Sequence, residues 1–215
     1  MSDSSLVHAH QFDDLEQQHD AASLGMWIFL ATEVMFFGGM FLGYTIYRFM
    51  YAEAFAAASN RLDLLPGAIN TTVLILSSFT MASAVYHAGL ARERALRVSL
   101  LLTIVLGAAF LGIKFYEYHE KFEELLVPGG LFSFPAPFTS AAEIFFSFYF
   151  AMTGIHAVHM IIGLGLLVNL LIGARRGRYS AGYSTPVELV GLYWHFVDIV
   201  WIFLFPLLYL VGRHL

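Results

Sequence analysis

Residues 98–118 read VSLLLTIVLGAAFLGIKFYEY. From Val98 to Ile113 no side chain carries a charge, and the two that do, Lys114 and Glu117, come near the end. A hydrocarbon core about 30 Å thick takes roughly 20 apolar helical residues to cross, and this stretch is long enough. It is too long for a membrane barrel strand and lacks the alternation of one. Working outward, four more runs meet the same requirement: about Leu24–Tyr47, Ala68–Leu90, Ala141–Gly173 and Val187–Gly212. The fourth in chain order is long enough to tilt or to project into water. The fold class is therefore all-α, a polytopic membrane protein with five transmembrane helices. It forms one domain, 24–215, after a polar segment, 1–23.

Composition agrees. Of 215 residues 59% are hydrophobic and 13% charged, against about 25% charged in soluble domains, and the mean hydropathy is +0.70. This excludes a disordered chain, a basic nucleic-acid binder and a disulfide-rich module. With no cysteine there are no disulfides, thiolate metal sites or iron–sulfur clusters. A net charge of −5 predicts no polybasic surface for anionic lipid or nucleic acid. The first 23 residues hold five acids, among them Asp3 and Asp13, and no Lys or Arg, unlike a signal or transit peptide.

The connections are polar or turn-rich: residues 51–65, which have helical character of their own, 91–97, 122–140 and 174–185. Arg92, Arg94, Arg97, Arg175, Arg176 and Arg178 lie in short turns on one side, with Arg48, Arg61, Lys121 and Arg213 on the other. The positive-inside rule then places the N-terminus in the cytoplasm and the C-terminus outside.

Ionisable groups at membrane depth are costly and therefore informative. Glu33 lies in the first helix, His156 and His159 in the fourth, His195 and Asp198 in the fifth. At 1.5 Å per residue, Glu33, His159, His195 and Asp198 are compatible with one layer between the cytoplasmic face and the midplane. His156/His159, His195/Asp198 and Lys114/Glu117 are each spaced i,i+3 and share a helix face. Lys114 and Glu117, opposite in charge, are expected to neutralise each other near the interface. Carboxylates and imidazoles on facing helices do build di-metal centres, but these groups show no Glu-x-x-His spacing. Hydrogen bonding between helices is the plainer reading of the histidines and Asp198. Glu33, among Met35, Phe36 and Phe37, is open to three readings: a proton-exchanging acid, a partner for a lipid head group or adjacent subunit, or a neutral carboxyl bonded to one neighbouring helix. The aromatic runs 145–150 and 194–205 fit packing against lipid and other helices, or the lining of a crevice for acyl chains. Gly38, Gly39, Gly43, Gly163 and Gly165 permit close helix approach.

Several stretches together resemble one family. Tyr193-Trp194-His195-Phe196-Val197-Asp198-Ile199-Val200-Trp201, with Glu188 upstream, resembles the last helix of subunit III of the haem–copper oxidases. Thr153-Gly154-Ile155-His156-Ala157-Val158-His159 resembles the preceding helix, and Thr32-Glu33-Val34-Met35-Phe36-Phe37 the helix bearing that family's buried Glu. Asn70-Thr71-Thr72-Val73-Leu74 and Glu117-Tyr118 match further positions, in the same order along about Leu24–Gly212. Two helices found at the start of the seven-helix members are missing, as in the short five-helix bacterial form. The lipid cleft of the long members therefore lacks one wall.

The resemblance implies a non-catalytic subunit with no cofactor of its own. Haem and copper would sit in partner subunits I and II, where dioxygen is reduced in respiratory electron transport coupled to proton pumping. Subunit III would support proton uptake, stability and lipid binding, so bound phospholipid is compatible with it. By the same resemblance Glu33 is the buried carboxyl, while His156, His159, Glu188, His195 and Asp198 are architectural or lipid-facing. The implied location is the bacterial plasma membrane. The family serves cytochrome c oxidases and quinol oxidases alike, and a chain attached to a nitric oxide reductase is a variant. Two other classes stand beside it: a membrane metalloenzyme using Glu33, His159, His195 and Asp198, and a small transporter, against which the lack of a repeat or broken helix pair argues.

Overall fold

The computed structural model describes residues 14–179 and 183–210. Asp3, Asp13 and Arg213 lie outside the described residues. The helices are α1 (Leu15–Met50), α2 (Ala52–Ser59), α3 (Leu64–Gly89), α4 (Glu93–Glu123), α5 (Thr139–Arg175) and α6 (Thr185–Tyr209). Five of the six, all but the short α2, are long and apolar enough to cross a membrane.

α1, α3, α4 and α5 are each longer than their apolar runs, whereas α6 begins two residues before its run and ends at Tyr209. α1 begins nine residues before Leu24 because Asp14 caps it, its Oδ1 accepting from the Gln17 N–H at 2.7 Å. Residues 15–23 are polar but mostly good helix formers, so hydropathy marks only the lipid-facing part of the rod. α3 starts at Leu64 and takes Pro66 into its first turn, where an N–H has no helical partner in any case. At 37 residues α5 is about 55 Å long, well beyond the hydrocarbon core.

α3, α4, α5 and α6 close a four-helix ring in that order, α6 returning to α3. α1 leans on α5 and α6 from outside, and α2 lies across α5 at the end where α1 finishes. Consecutive spans α1 and α3 are therefore separated by α6. Enclosure follows this plan: α6 is the most buried span and α1 the least.

The ring has an axial column supplied by α6. Trp194 is fully buried, and its indole N–H donates to Ser77 Oγ of α3 at 3.1 Å. Its ring fills the space left by Gly107 on α4 and Gly163 on α5, where a Cβ would come within 2.8 and 2.9 Å of it. Seven residues on, Trp201 repeats the arrangement. Its N–H donates to Thr71 Oγ1 of α3 at 3.1 Å, and its ring meets Phe110 of α4 and His156 of α5 at 4.8 and 5.3 Å between centroids. The α5 partners are seven residues apart as well, two helical turns, the spacing that keeps one seam facing inward. Among the glycines expected to allow close approach, Gly163 does so and Gly43 meets Phe148 at 3.4 Å. Gly38, Gly39 and Gly165 have nothing within 4 Å; besides Gly163, the tight contacts fall at Gly67, Gly107, Gly173 and Gly191.

At the α2 end, the last carbonyls of α6 have no helical partner. Tyr44 of α1 donates to the Leu207 carbonyl and Ser59 of α2 to the Leu208 carbonyl, both at 2.7 Å. Two side chains thus satisfy groups that would be costly to leave unpaired in a dry setting.

Replacing Gly107 with Val places methyl groups inside the Trp194 ring position. We expect a stability loss of about 1–3 kcal/mol, read as a lower melting temperature in detergent. Val at Gly38, where nothing lies within 4 Å, should leave the melting temperature unchanged.

Candidate functional site

The polar groups of the bundle fall into separate clusters. The largest lies at the top of the axial column. Lys114 and Glu117, one turn apart on α4, are both buried, their side chains 3% and 1% exposed, and 3.1 Å apart. The ammonium also donates to Tyr149 Oη of α5 at 3.0 Å and to Tyr209 Oη of α6 at 2.7 Å, using all three of its donors. Both tyrosine hydroxyls in turn donate to Glu117 Oε1, Tyr149 at 2.8 Å and Tyr209 by a shorter bond. The ammonium lies over the faces of Tyr149 and Trp201, 4.7 and 5.2 Å from their centroids. Beside it the hydroxyls of Tyr118 and Thr153 bond across α4 and α5. Three helices are tied here by a closed circuit that leaves neither charge unpaired.

The second cluster joins α1 to α5. Glu33 Oε2 lies 3.2 Å from His159 Nε2, with both side chains largely covered. The other ring nitrogen, Nδ1, is 2.9 Å from the Ile155 carbonyl oxygen. That oxygen can only accept, so Nδ1 carries a hydrogen. Nε2 is thereby left facing the Glu33 carboxyl. Tyr193 of α6 donates to the His159 carbonyl at 3.0 Å and stacks beside the imidazole.

A third cluster lies on the α3–α6 side. His195 Nδ1 and Ser78 Oγ are 2.8 Å apart, and with Asp198 they line a cleft of about 370 Å³ whose other walls are aliphatic and aromatic. Both Asp198 oxygens are buried without a hydrogen-bonding partner among the described residues. His156, one turn from His159, does not join that residue's bonds. It is enclosed by Phe110 and Trp201, and neither ring nitrogen has a hydrogen bond. Glu188 sits at the opposite end, in the first turn of α6, taking a bond from Ser184 Oγ at 2.5 Å and lying 3.5 Å from His19 of α1.

Glu33, His159, His195 and Asp198, adjacent in depth by sequence, are thus divided between α1–α5 and α3–α6 contacts. Among the described residues no three His, Asp or Glu side chains converge as a metal site requires. The groups that sequence reasoning passed over are neutral: Tyr44, Tyr149, Tyr209, Ser59, Ser77 and Ser78. A Tyr within an aromatic run, or a lone Ser in an apolar helix, reads as lipid-facing or inert until its partner is in place. The available signal was the buried Lys114, whose three donors need three acceptors.

The architecture defines a class: a multi-pass helical membrane protein whose ionisable groups bond to one another across helices. Comparison with known proteins narrows it. The family model for cytochrome c oxidase subunit III matches residues 6–213. The chain is 34% identical over 207 residues to cytochrome c oxidase subunit 3 of Thermostichus vulcanus, covering 96% of this chain and 92% of that one. It is 32% identical over 190 residues to cytochrome c oxidase subunit 3 of Alkalihalophilus pseudofirmus, covering 88% and 86%. It is 31% identical over 193 residues to the probable quinol oxidase subunit 3 of Staphylococcus haemolyticus, covering 88% of each chain. The chain belongs to the cytochrome c oxidase subunit III family.

Lys114→Met strands the buried Glu117 carboxylate, and we expect a loss of about 3–5 kcal/mol. Adding Glu117→Gln to that variant removes the stranded charge and should recover part of the loss, measured by thermal unfolding in detergent. Glu33→Gln keeps a polar group of the same shape facing His159 Nε2, so the bundle should assemble with its partners at the normal yield. A collapse of that yield would show that the acid's charge carries the contact.

Proposed function

We propose that this chain is the accessory third subunit of a terminal haem–copper oxidase in a bacterial plasma membrane. It packs mainly against catalytic subunit I and also contacts subunit II. Haem and copper belong to those partners. The N-terminus is cytoplasmic and the C-terminus external. The family match along nearly the whole chain carries this reading, and the outer surface of α1 supports it. Leu24, Trp27, Ile28, Val34, Met35 and Phe49 are each more than half exposed, an apolar stripe suited to lipid or another subunit.

A groove of about 430 Å³ between α1 and α6, lined by residues such as Trp27, Phe37, Phe41 and Phe203, is one wall of a space that two further helices would close. We assign it to acyl chains or to a neighbouring subunit's helix. The Glu33–His159 pair, a carboxyl facing an imidazole within the spans, we assign to the support of proton uptake by subunit I. His156, His195, Asp198 and Glu188 serve the architecture around it. Relatives named for cytochrome c oxidases and for quinol oxidases both match, so the electron donor follows from the copurifying subunits.

A tag on this chain and purification in mild detergent should bring down haem-bearing subunits in fixed ratio. A chain recovered alone, or with an unrelated transporter, would overturn the assignment. Membranes lacking the chain should start oxygen reduction at a normal rate and lose it over repeated turnover. Unchanged turnover and pumping over many cycles would remove the supporting role.

A further inference from the structure

α6 lies between α1 and α3, and a furrow runs along each of its flanks. One is the α1–α6 groove. The other is the cleft of about 370 Å³ between α3 and α6 that holds Ser78, His195 and Asp198. The two share His195 and Ile199, so one face continues from α1 across α6 to α3. The rim of the cleft is apolar: Ile75, Phe79, Ile199 and Ile202 are each about half exposed or more. Asp198 differs from them. It is 3% exposed, and neither carboxyl oxygen has a hydrogen-bond partner among the described residues. Ser78 is engaged with His195 Nδ1 at 2.8 Å. Asp198 is also deep. As the fourteenth of the 25 residues of α6, it is about 20 Å along a rod of roughly 37 Å. A lone carboxyl at that depth is costly, and such groups pair with one another or mark a site.

We propose that the α3–α6 cleft receives a Lys or Arg side chain from a transmembrane helix of a partner subunit, its cation pairing with Asp198. The proposal rests on the reading of this chain as one subunit of a membrane complex. Charge chooses the occupant first. An acid without a partner calls for a cation, and an apolar rim calls for apolar flanks. Together they describe a spanning helix with one basic residue inside it. Depth excludes a lipid amine, because half way along α6 the carboxyl is out of reach of head groups. Reach excludes a short polar side chain, because the carboxyl lies below the mouth of the cleft and the approaching backbone stays outside. A second copy of this chain does not qualify. Among the described residues, Lys114 is the one Lys or Arg well inside a span, and its three donors are taken within its own bundle.

The test uses membranes that hold the whole complex. Benzoylphenylalanine is incorporated at Ile75 or Ile202 on the rim and photoactivated. The tagged chain is then purified with its partners, and the crosslinked peptide is mapped by mass spectrometry. The expected product is a transmembrane peptide of another subunit with a Lys or Arg among its apolar residues. Crosslinks to lipid alone, to a second copy, or to a segment without such a residue overturn the proposal. A double-mutant cycle then tests the charge. Asp198→Asn alone, or the mapped cation changed to Met alone, strands a buried charge, and each should weaken retention of the partner in rising detergent about tenfold. The two changes together should bring retention back to within about twofold of the native complex. Losses that simply add, or no loss in either single variant, overturn the pairing. Should Asp198→Asn fail to assemble, the crosslink on the chain with its native Asp198 decides. Recovery of haem-bearing subunits with the native chain tests the oxidase assignment separately. If they copurify and the cleft yields lipid alone, this proposal fails and that assignment stands; a basic helix crosslinked from a complex without haem gives the reverse.

Discussion

The indole of Trp194 is the contact on which the remaining packing depends. One side chain of α6 touches all three other helices of the ring: it donates to Ser77 on α3 and occupies the room left by Gly107 on α4 and Gly163 on α5. In lipid there is no hydrophobic drive between helices, because the surroundings are as apolar as the interior. Close fit and hydrogen bonds must supply the association, and Trp194 brings both together. Trp201 repeats the device two turns on, and Tyr209 ends the column by joining the Lys114–Glu117 circuit. The α5 partners Gly163, His156 and Tyr149 are spaced by seven, against seven and eight on α6, so one register positions the apolar layers and the polar one. A slip of a single residue would misplace both.

The polar groups divide by how fully they are bonded. Lys114, Glu117, Tyr149 and Tyr209 close on themselves and tie three helices. Glu33 and His159 meet across α1 and α5 and remain part-exposed. Asp198, His156 and Asn70 are buried with side-chain atoms that lack hydrogen-bond partners among the described residues. Satisfied networks give rigidity, whereas partly satisfied ones mark the places where water, a proton or a neighbour is accommodated.

Much of the fold was legible in advance, for a simple reason: crossing hydrocarbon imposes a length and a composition that single residues display. The five spans follow from that. Their true ends did not, since residues 15–23 and 119–123 are helical yet polar and hydropathy is blind to them. The order of packing was hidden as well. Nothing local in Glu33 or His159 says that they meet across 126 positions of sequence, and i,i+3 spacing does not tell which partners His156 and His159 take. One turn carries the first into an aromatic cage and the second to the α1 side.

The placement of α1 bears on how the chain is made. Of the five spans described it leaves the ribosome ahead of the others, yet its main contacts, apart from the short α2, are with α5 and α6, the two that follow latest among the five. Through most of synthesis it must wait in the bilayer as a solitary rod, Glu33 still without His159. Only when α6 inserts between α1 and α3 does the first span gain a place to dock. Biogenesis therefore closes from the C-terminal end, and a chain arrested before its last segment would carry its opening helix untethered.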